Sequence, residues 1–219
     1  MKAQHIRLQS ADYPEILARR LRDAAPQNLY ALGDCGILRN RLLGLICSIQ
    51  CPGSIVIKTF DLIRKLRDEK AVMIGGFHSP MEWDCLDLLL RGVQPVILCP
   101  AKGLRNLRMG KPARKALTEG RLLVLSAFGD EVRRTTSIQA FLRNDMVAAL
   151  SETLLVPHAS KNGKTWSAVQ RAFEYGQKVF TFEDEANADL IACGARACRE
   201  DRIDDIVSET RGPHEVGPI

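Results

Sequence analysis

Short apolar runs recur along this chain at intervals that leave room for one helix between them, and this alternation constrains the fold more than any motif. "RLLGLICSI", "AVMIGG", "QPVILCP", "RLLVLSAF", "TLLVPH" and "KVFTFED" read as six buried strands. Between them, "GSIVIKTFDLIRKLRDE", "PMEWDCLDLLLRG", the segment 137–150 and "KTWSAVQRAFEYG" have helical length and period. In the first of these helices Ile55, Phe60, Ile63 and Leu66 are expected to face the sheet. Strands joined by helices of roughly a dozen residues need right-handed crossovers, hence a parallel sheet covered on both faces. The expected fold is α/β: a Rossmann-like, doubly wound, mainly parallel sheet with helices on both faces and a short N-terminal helical extension. Residues 1–39 form the extension, with a helix over 13–25 and the short apolar piece "NLYALGD". Residues 40–198 form the Rossmann-like domain. Residues 199–219 form an acidic tail, expected to be poorly ordered.

The net charge of +5 is unevenly spread: residues 182–219 carry −6, leaving +11 on the rest. Lys102, Arg105, Arg108, Lys111, Arg114 and Lys115 crowd one segment. A basic body suits a polyanionic partner that an acidic tail could screen; a solvated helix face beside a flexible tail reads equally well. No apolar run approaches a membrane span, and "MKAQHIRLQSADYPEI" has no apolar signal core, so an uncleaved, cytoplasmic protein is expected. Cys47 and Cys99 lie inside strand-like runs, and the spacings Cys47-x3-Cys51 and Cys193-x4-Cys198 lack a nearby histidine. Reduced, packed thiols are expected, with no metal and no cofactor.

Open parallel sheets bind ligands beyond the carboxyl ends of their strands. Three loops leave such ends: "CSIQCPGS" with Ser48, Gly53 and Ser54; "GGFHSPM" with Gly75, Gly76, His78 and Ser79; and "PHASKNGKT" with Lys161, Gly163, Lys164 and Thr165. Each can present unpaired backbone amides at the positive end of a helix, an arrangement suited to phosphate. Glu82, in the first turn after Pro80, competes with an anion there, so that loop either accepts a ribose or base through His78, Ser79 and Glu82 or is a tight turn. "NGKT" lacks the glycine that a P-loop places five residues before Gly163; His158 stands there instead. No Gly-x-Gly-x-x-Gly follows the first strand, and no nucleophile is paired with His78 or His158 by a local pattern, so no catalytic residue is assigned.

"DYPEILARRLRDAAPQNLYALGD" resembles the N-terminal segment of the DNA-processing protein DprA (Smf) family, with its Tyr-Pro-x-x-Leu helix and Leu-Tyr-x-x-Gly strand. "IGGFHSPMEWDCLDLLLRGVQPVILC" occupies the place of the family's Ser-Gly-x-Ala-x-Gly-Ile-Asp loop and following strand. "LSAFGD" is similar to its Ser-Glu-Phe segment, and "FLRNDMVAALSETLLVPHASKNGKTWSAVQRAFEYGQKVFTF" to its Arg-Asn helix, Ser-Gly-Ser loop and closing elements. The likeness spans about residues 12–183. It implies that Arg143 and Asn144 match the Arg-Asn pair, Gly76 the loop glycine, and Gly163 the phosphate-facing loop. Two places depart: Cys47-Ser48-Ile49 stands for Gly-Ser-Arg, and Ser79-Pro80-Met81-Glu82 for Arg-Gly-Ile-Asp. No winged-helix pattern follows the core.

The resemblance implies a homodimer that binds single-stranded DNA and aids loading of a RecA-type recombinase in DNA uptake or recombination. Lys102, Arg105, Arg108, Arg133, Arg134, Arg143, Lys161 and Lys164 would line the groove, and Phe77 and Trp166 are the candidates for base stacking. The competing expectation is a nucleotide sensor or a hydrolase like the LOG enzymes of the wider group, whose Pro-Gly-Gly-x-Gly-Thr pattern is absent here. An interaction scaffold is the third.

Overall fold

The apolar runs do form strands, and the chain adds three more at the sheet's two ends. The computed structural model describes residues 3–105, 107–198 and 205–206. β1 (Gln4–Arg7) and β2 (Asn28–Leu32) flank α1 (Glu15–Leu21), which continues into a 3-10 turn at Arg22–Ala24. β3 (Leu42–Leu45), α2 (Gly53–Asp68), β4 (Val72–Gly75), α3 (Pro80–Leu90), β5 (Val96–Leu98), α4 (Lys111–Thr118) and β6 (Leu122–Ser126) then wind in one direction. α5 (Ser137–Leu150) returns the chain to β7 (Thr153–Leu155), followed by α6 (Lys164–Glu174), β8 (Lys178–Phe182), α7 (Ala188–Ala192) and β9 (Arg196–Cys198).

The single sheet runs β1-β2-β6-β5-β4-β3-β7-β8-β9. Both pairings of β2 are antiparallel and those from β6 to β9 are parallel. Central strands β3 to β7 are buried at every position, as a sheet covered on both sides requires. One face packs against α1, α5 and α6 through Leu17, Met146, Val147 and Val169. The other packs against α2, α3 and α4 through Ile55, Leu62, Leu86, Leu89 and Leu117. This is the Rossmann-like, mainly parallel architecture that the alternation required.

Several details depart from the pattern read along the sequence. On α2, Phe60 is only partly buried, and Thr59 and Leu62 take the inward positions beside Ile55, Ile63 and Leu66. Thr59 satisfies its hydroxyl on the Ile55 carbonyl, 2.7 Å away, which lets a polar residue sit inside. The N-terminal segment supplies strands as well as a helix, and the basic segment holds α4, whose Ala113, Ala116 and Leu117 face inward. Of the tail, Asp205 and Ile206 are described, and Ile206 is fully buried against the α2–α4 side of the core. The expectation of disorder for the remaining tail falls outside the described residues. Among the described residues no helix is long and apolar enough to cross a membrane, and no group of three or more His, Cys, Asp or Glu side chains could hold a metal.

Between α5 and α6, the Asp145 carboxylate accepts a hydrogen bond from Arg171, whose guanidinium also stacks 4.4 Å from the Phe141 ring centroid. Burial pushes the Asp145 carboxyl up to about 6, with Arg171 opposing the shift. A raised carboxyl binds its proton more readily folded than unfolded. That stabilising share is therefore complete below the ordinary aspartate value and is lost as pH rises through about 6. Relative to Asp145→Asn, the parent protein is expected to lose on the order of 2–3 kcal/mol between pH 4 and pH 7 in urea unfolding. A difference that does not vary across that window contradicts it.

Candidate functional site

The strand order reverses between β3 and β7, and loops diverging from such a point leave a crevice at the carboxyl rim. The two loops are stitched together there. The Ser48 amide donates to the His158 carbonyl, and the Ser160 amide donates to Ser48 Oγ, each at 3.0 Å. A cleft of about 420 Å³ opens beside them, lined by the loops after β3, β4 and β7 and by the start of α5.

Helices that begin on this rim treat their free amides in two ways; α2 is uncapped but starts outside the cleft lining, and the other starts differ at the cleft itself. At α3, Ser79 Oγ accepts from the Glu82 amide while Glu82 Oε2 accepts from the Ser79 amide, a reciprocal capping box. Glu82 goes further: Oε2 also accepts from the His78 amide at 3.0 Å, and Oε1 from the Cys47 amide at 3.3 Å. Its carboxylate, 6% exposed, thus acts as an internal anion at the α3 N-terminus and ties the β4 loop to the β3 loop. Phe77, at φ 44° in the left-handed region, turns the chain so that the following amides meet it. α5 is closed in the same way by Thr136 and Gln139. α6 begins at Gly163 with no side-chain cap and no acidic residue in its first turn, so its amides and positive end face the cleft beside Lys164 and Thr165.

Arg143 crosses the floor of the cleft from α5. It is 5% exposed; Nη1 donates to the Cys99 carbonyl at 3.2 Å and Nε to Asn144 Oδ1 at 2.8 Å. No hydrogen bond engages Nη2 among the described residues. Burial lowers the pKa of this guanidinium, opposed first by the negative charge of Glu82, and the group stays protonated. Gly76 is what admits it: a Cβ built on Gly76 would collide with Nη1, Cζ and Nε of Arg143. Gly75 makes room for the Phe77 ring and the Leu45 carbonyl rather than for a ligand.

Ser48, His78, Ser79, Glu82, Arg143, Asn144, Gly163, Lys164 and Thr165 therefore meet around one cleft. Gly53 and Ser54 are exposed at the start of α2, outside the cleft lining, and Ser54 Oγ lies 3.5 Å from Asp184. Lys161 is also outside, paired with Asp189 at 3.3 Å. His158 turns to Asn187, with Nδ1 3.0 Å from Oδ1. The two expected stacking rings are buried, Phe77 at 1% and Trp166 at 7% exposure, because both pack into the sheet's covering layers. Thr135, Thr136, Ser137 and Ser160 add hydroxyls that the sequence reading passed over. The Thr-x-x-Gln spacing of Thr136 and Gln139, and the Ser-x-x-Glu spacing of Ser79 and Glu82, are capping signals that would have marked both helix starts.

A family model described as DNA recombination-mediator protein A matches residues 4–211, nearly the whole chain. The chain belongs to the DNA recombination-mediator protein A family. The DNA processing protein A (DprA) of Streptococcus pneumoniae is similar in structure, with a TM-score of 0.79 and 20% identity over 97% of this chain and 76% of that one. DNA processing protein A from Helicobacter pylori, whose structure gives insight into its single-stranded DNA binding mode, has a TM-score of 0.76 and 20% identity. That match covers 95% of this chain and 98% of that one. The molybdenum cofactor binding protein of Rippkaea orientalis shares the fold more distantly, with a TM-score of 0.53 and 14% identity over 78% of this chain and 97% of that one. No curated protein sequence matches. At these identities the structural likenesses establish the fold, and the family-model match establishes the family.

Proposed function

We propose that this chain binds single-stranded DNA in the cleft at the strand reversal, phosphates resting on the α6 N-terminus. The observation that carries this reading is the asymmetry among the helix starts that line the cleft. α3 and α5 are capped by their own side chains, whereas α6 presents uncapped amides beside Lys164 and Thr165, with Arg143 on the cleft floor. Membership of the family and the single-stranded DNA binding of the Helicobacter pylori relative support the choice of ligand.

The basic residues beyond the cleft extend the track. Lys102, Arg105 and Arg108 follow β5, and Arg133 and Arg134 follow β6, on the same rim. The Gly103 amide donates to the Val132 carbonyl at 2.9 Å and the Arg105 amide to Asp130 Oδ1 at 2.9 Å, holding the two segments side by side. In this reading the protein acts as a cytoplasmic homodimer that hands its strand to a RecA-type recombinase during DNA uptake or recombination. The family resemblance supports that part.

Affinity for an oligothymidylate is expected to fall with salt, by a slope of about 0.7 per phosphate neutralised. Lys164→Glu should weaken binding about tenfold or more at low salt and flatten that slope. Absence of oligonucleotide binding at low salt rejects the proposal. The second reading, a mononucleotide site, draws on the cleft's modest volume and its many hydroxyls. Tight binding of a nucleoside monophosphate, with none of an oligonucleotide, would favour it. The hydrolase version gains nothing from Glu82, both of whose oxygens accept backbone amides.

A further inference from the structure

Burial of Phe77 and Trp166 leaves Trp83, at 47%, as the one exposed Phe, Tyr or Trp ring among the described residues. Large aromatic side chains bury far more often than they stand in water, so this one asks for a partner. Its place is defined by the cleft. Trp83 lies in the first turn of α3, and its amide donates to the Ser79 carbonyl at 2.9 Å. Helical side chains lean back over the turn that precedes them, which here is the turn of Ser79 and Pro80. Ser79 and its exposed neighbour His78 both line the cleft. Trp83 is itself outside the cleft lining and stands one helical turn from Ser79, beside the cleft's α3 edge.

We infer that Trp83 is a stacking platform for the base of a nucleotide leaving the cleft past His78. This rests on the single-stranded DNA reading above and adds a base contact to a site otherwise built for phosphate and sugar. Charge around the indole selects which part of the strand reaches it. Asp84 and Asp87, the latter one turn along the same face, are both exposed and repel phosphate. A neutral base can approach; the backbone is held off toward Arg143 and Lys164. An indole stacks on any base, so the platform contributes affinity without reading sequence.

The test compares parent protein, Trp83→Ala and Trp83→Phe for binding of fluorescein-labelled oligothymidylate and of an abasic oligomer of the same length, across a salt series. Because Trp83 is exposed, all three are expected to melt together. Stacking predicts that Trp83→Ala loses about tenfold or more in affinity for the thymidylate, that Trp83→Phe keeps most of it, and that abasic oligomer binding is unchanged by either substitution. The salt slope should be the same for all three, since no phosphate contact is removed. Intrinsic fluorescence of the parent should be quenched by the thymidylate, and that quenching should be largely lost in Trp83→Phe. Parent-like thymidylate affinity in Trp83→Ala overturns the inference while leaving the DNA reading intact. Failure of the parent to bind either oligomer overturns the DNA reading and the inference together.

Discussion

Gly76→Ala is expected to destabilise the protein by about 2–4 kcal/mol and to weaken oligonucleotide binding about tenfold. Nothing in the Gly76 backbone demands glycine, since its φ is not in the left-handed region. The demand comes from Arg143, whose guanidinium lies where a methyl group would go. A surface side chain could swing aside at little cost, but this one is 5% exposed and committed to the Cys99 carbonyl and Asn144. Moving it breaks charge-assisted hydrogen bonds in a buried setting and takes the positive group off the cleft floor. The double variant Gly76→Ala, Arg143→Ala separates these effects. Without the guanidinium the methyl group has space, so the two losses in stability should sum to at least 1 kcal/mol more than the double variant shows. Urea unfolding of the four proteins measures the coupling. Stability of Gly76→Ala within about 0.5 kcal/mol of the parent would mean that Arg143 is not held as described.

Glu82→Ala should be costlier still, about 3–5 kcal/mol, because it strands the amides of Cys47, His78 and Ser79 at once. Glu82→Gln keeps the shape yet turns a donor toward those donors, so it should recover only part of the loss. The α3 N-terminus, freed of its internal anion, should also become an anion site. Phosphate is then expected to raise the melting temperature of Glu82→Ala more than that of the parent. Amide exchange at His78 and Ser79 should quicken in the variant. A Glu82→Ala protein that melts with the parent and ignores phosphate would contradict the role assigned to this carboxylate.

Legibility of the site divides along physical lines. Ser48, His78, Ser79, Gly163, Lys164 and Thr165 were readable because each follows a strand in a loop that opens a helix, and strand ends of a parallel sheet share one rim. Gly53, Ser54 and Lys161 satisfy the same local rule, yet they sit outside the cleft lining; Ser54 and Lys161 turn instead to Asp184 and Asp189. Those acidic residues arrive from after β8, and no local pattern announces them. Glu82 was legible as an acid in the first turn, but its third amide, that of Cys47, comes from 35 positions away. The stacking candidates failed for a related reason: a ring's type is visible in the chain, whereas its burial depends on what packs over it.

By itself the sequence determined a parallel sheet covered on both faces, because apolar runs too short to be helices, separated by helical spans, admit few other ways of hiding their surface. It also determined which loops would share the carboxyl rim. Tertiary structure alone decided which of those loops close on one cleft and which ring remains in water. Those outcomes depend on side chains meeting across the strand reversal, and such meetings are set by strand order rather than by neighbours along the chain.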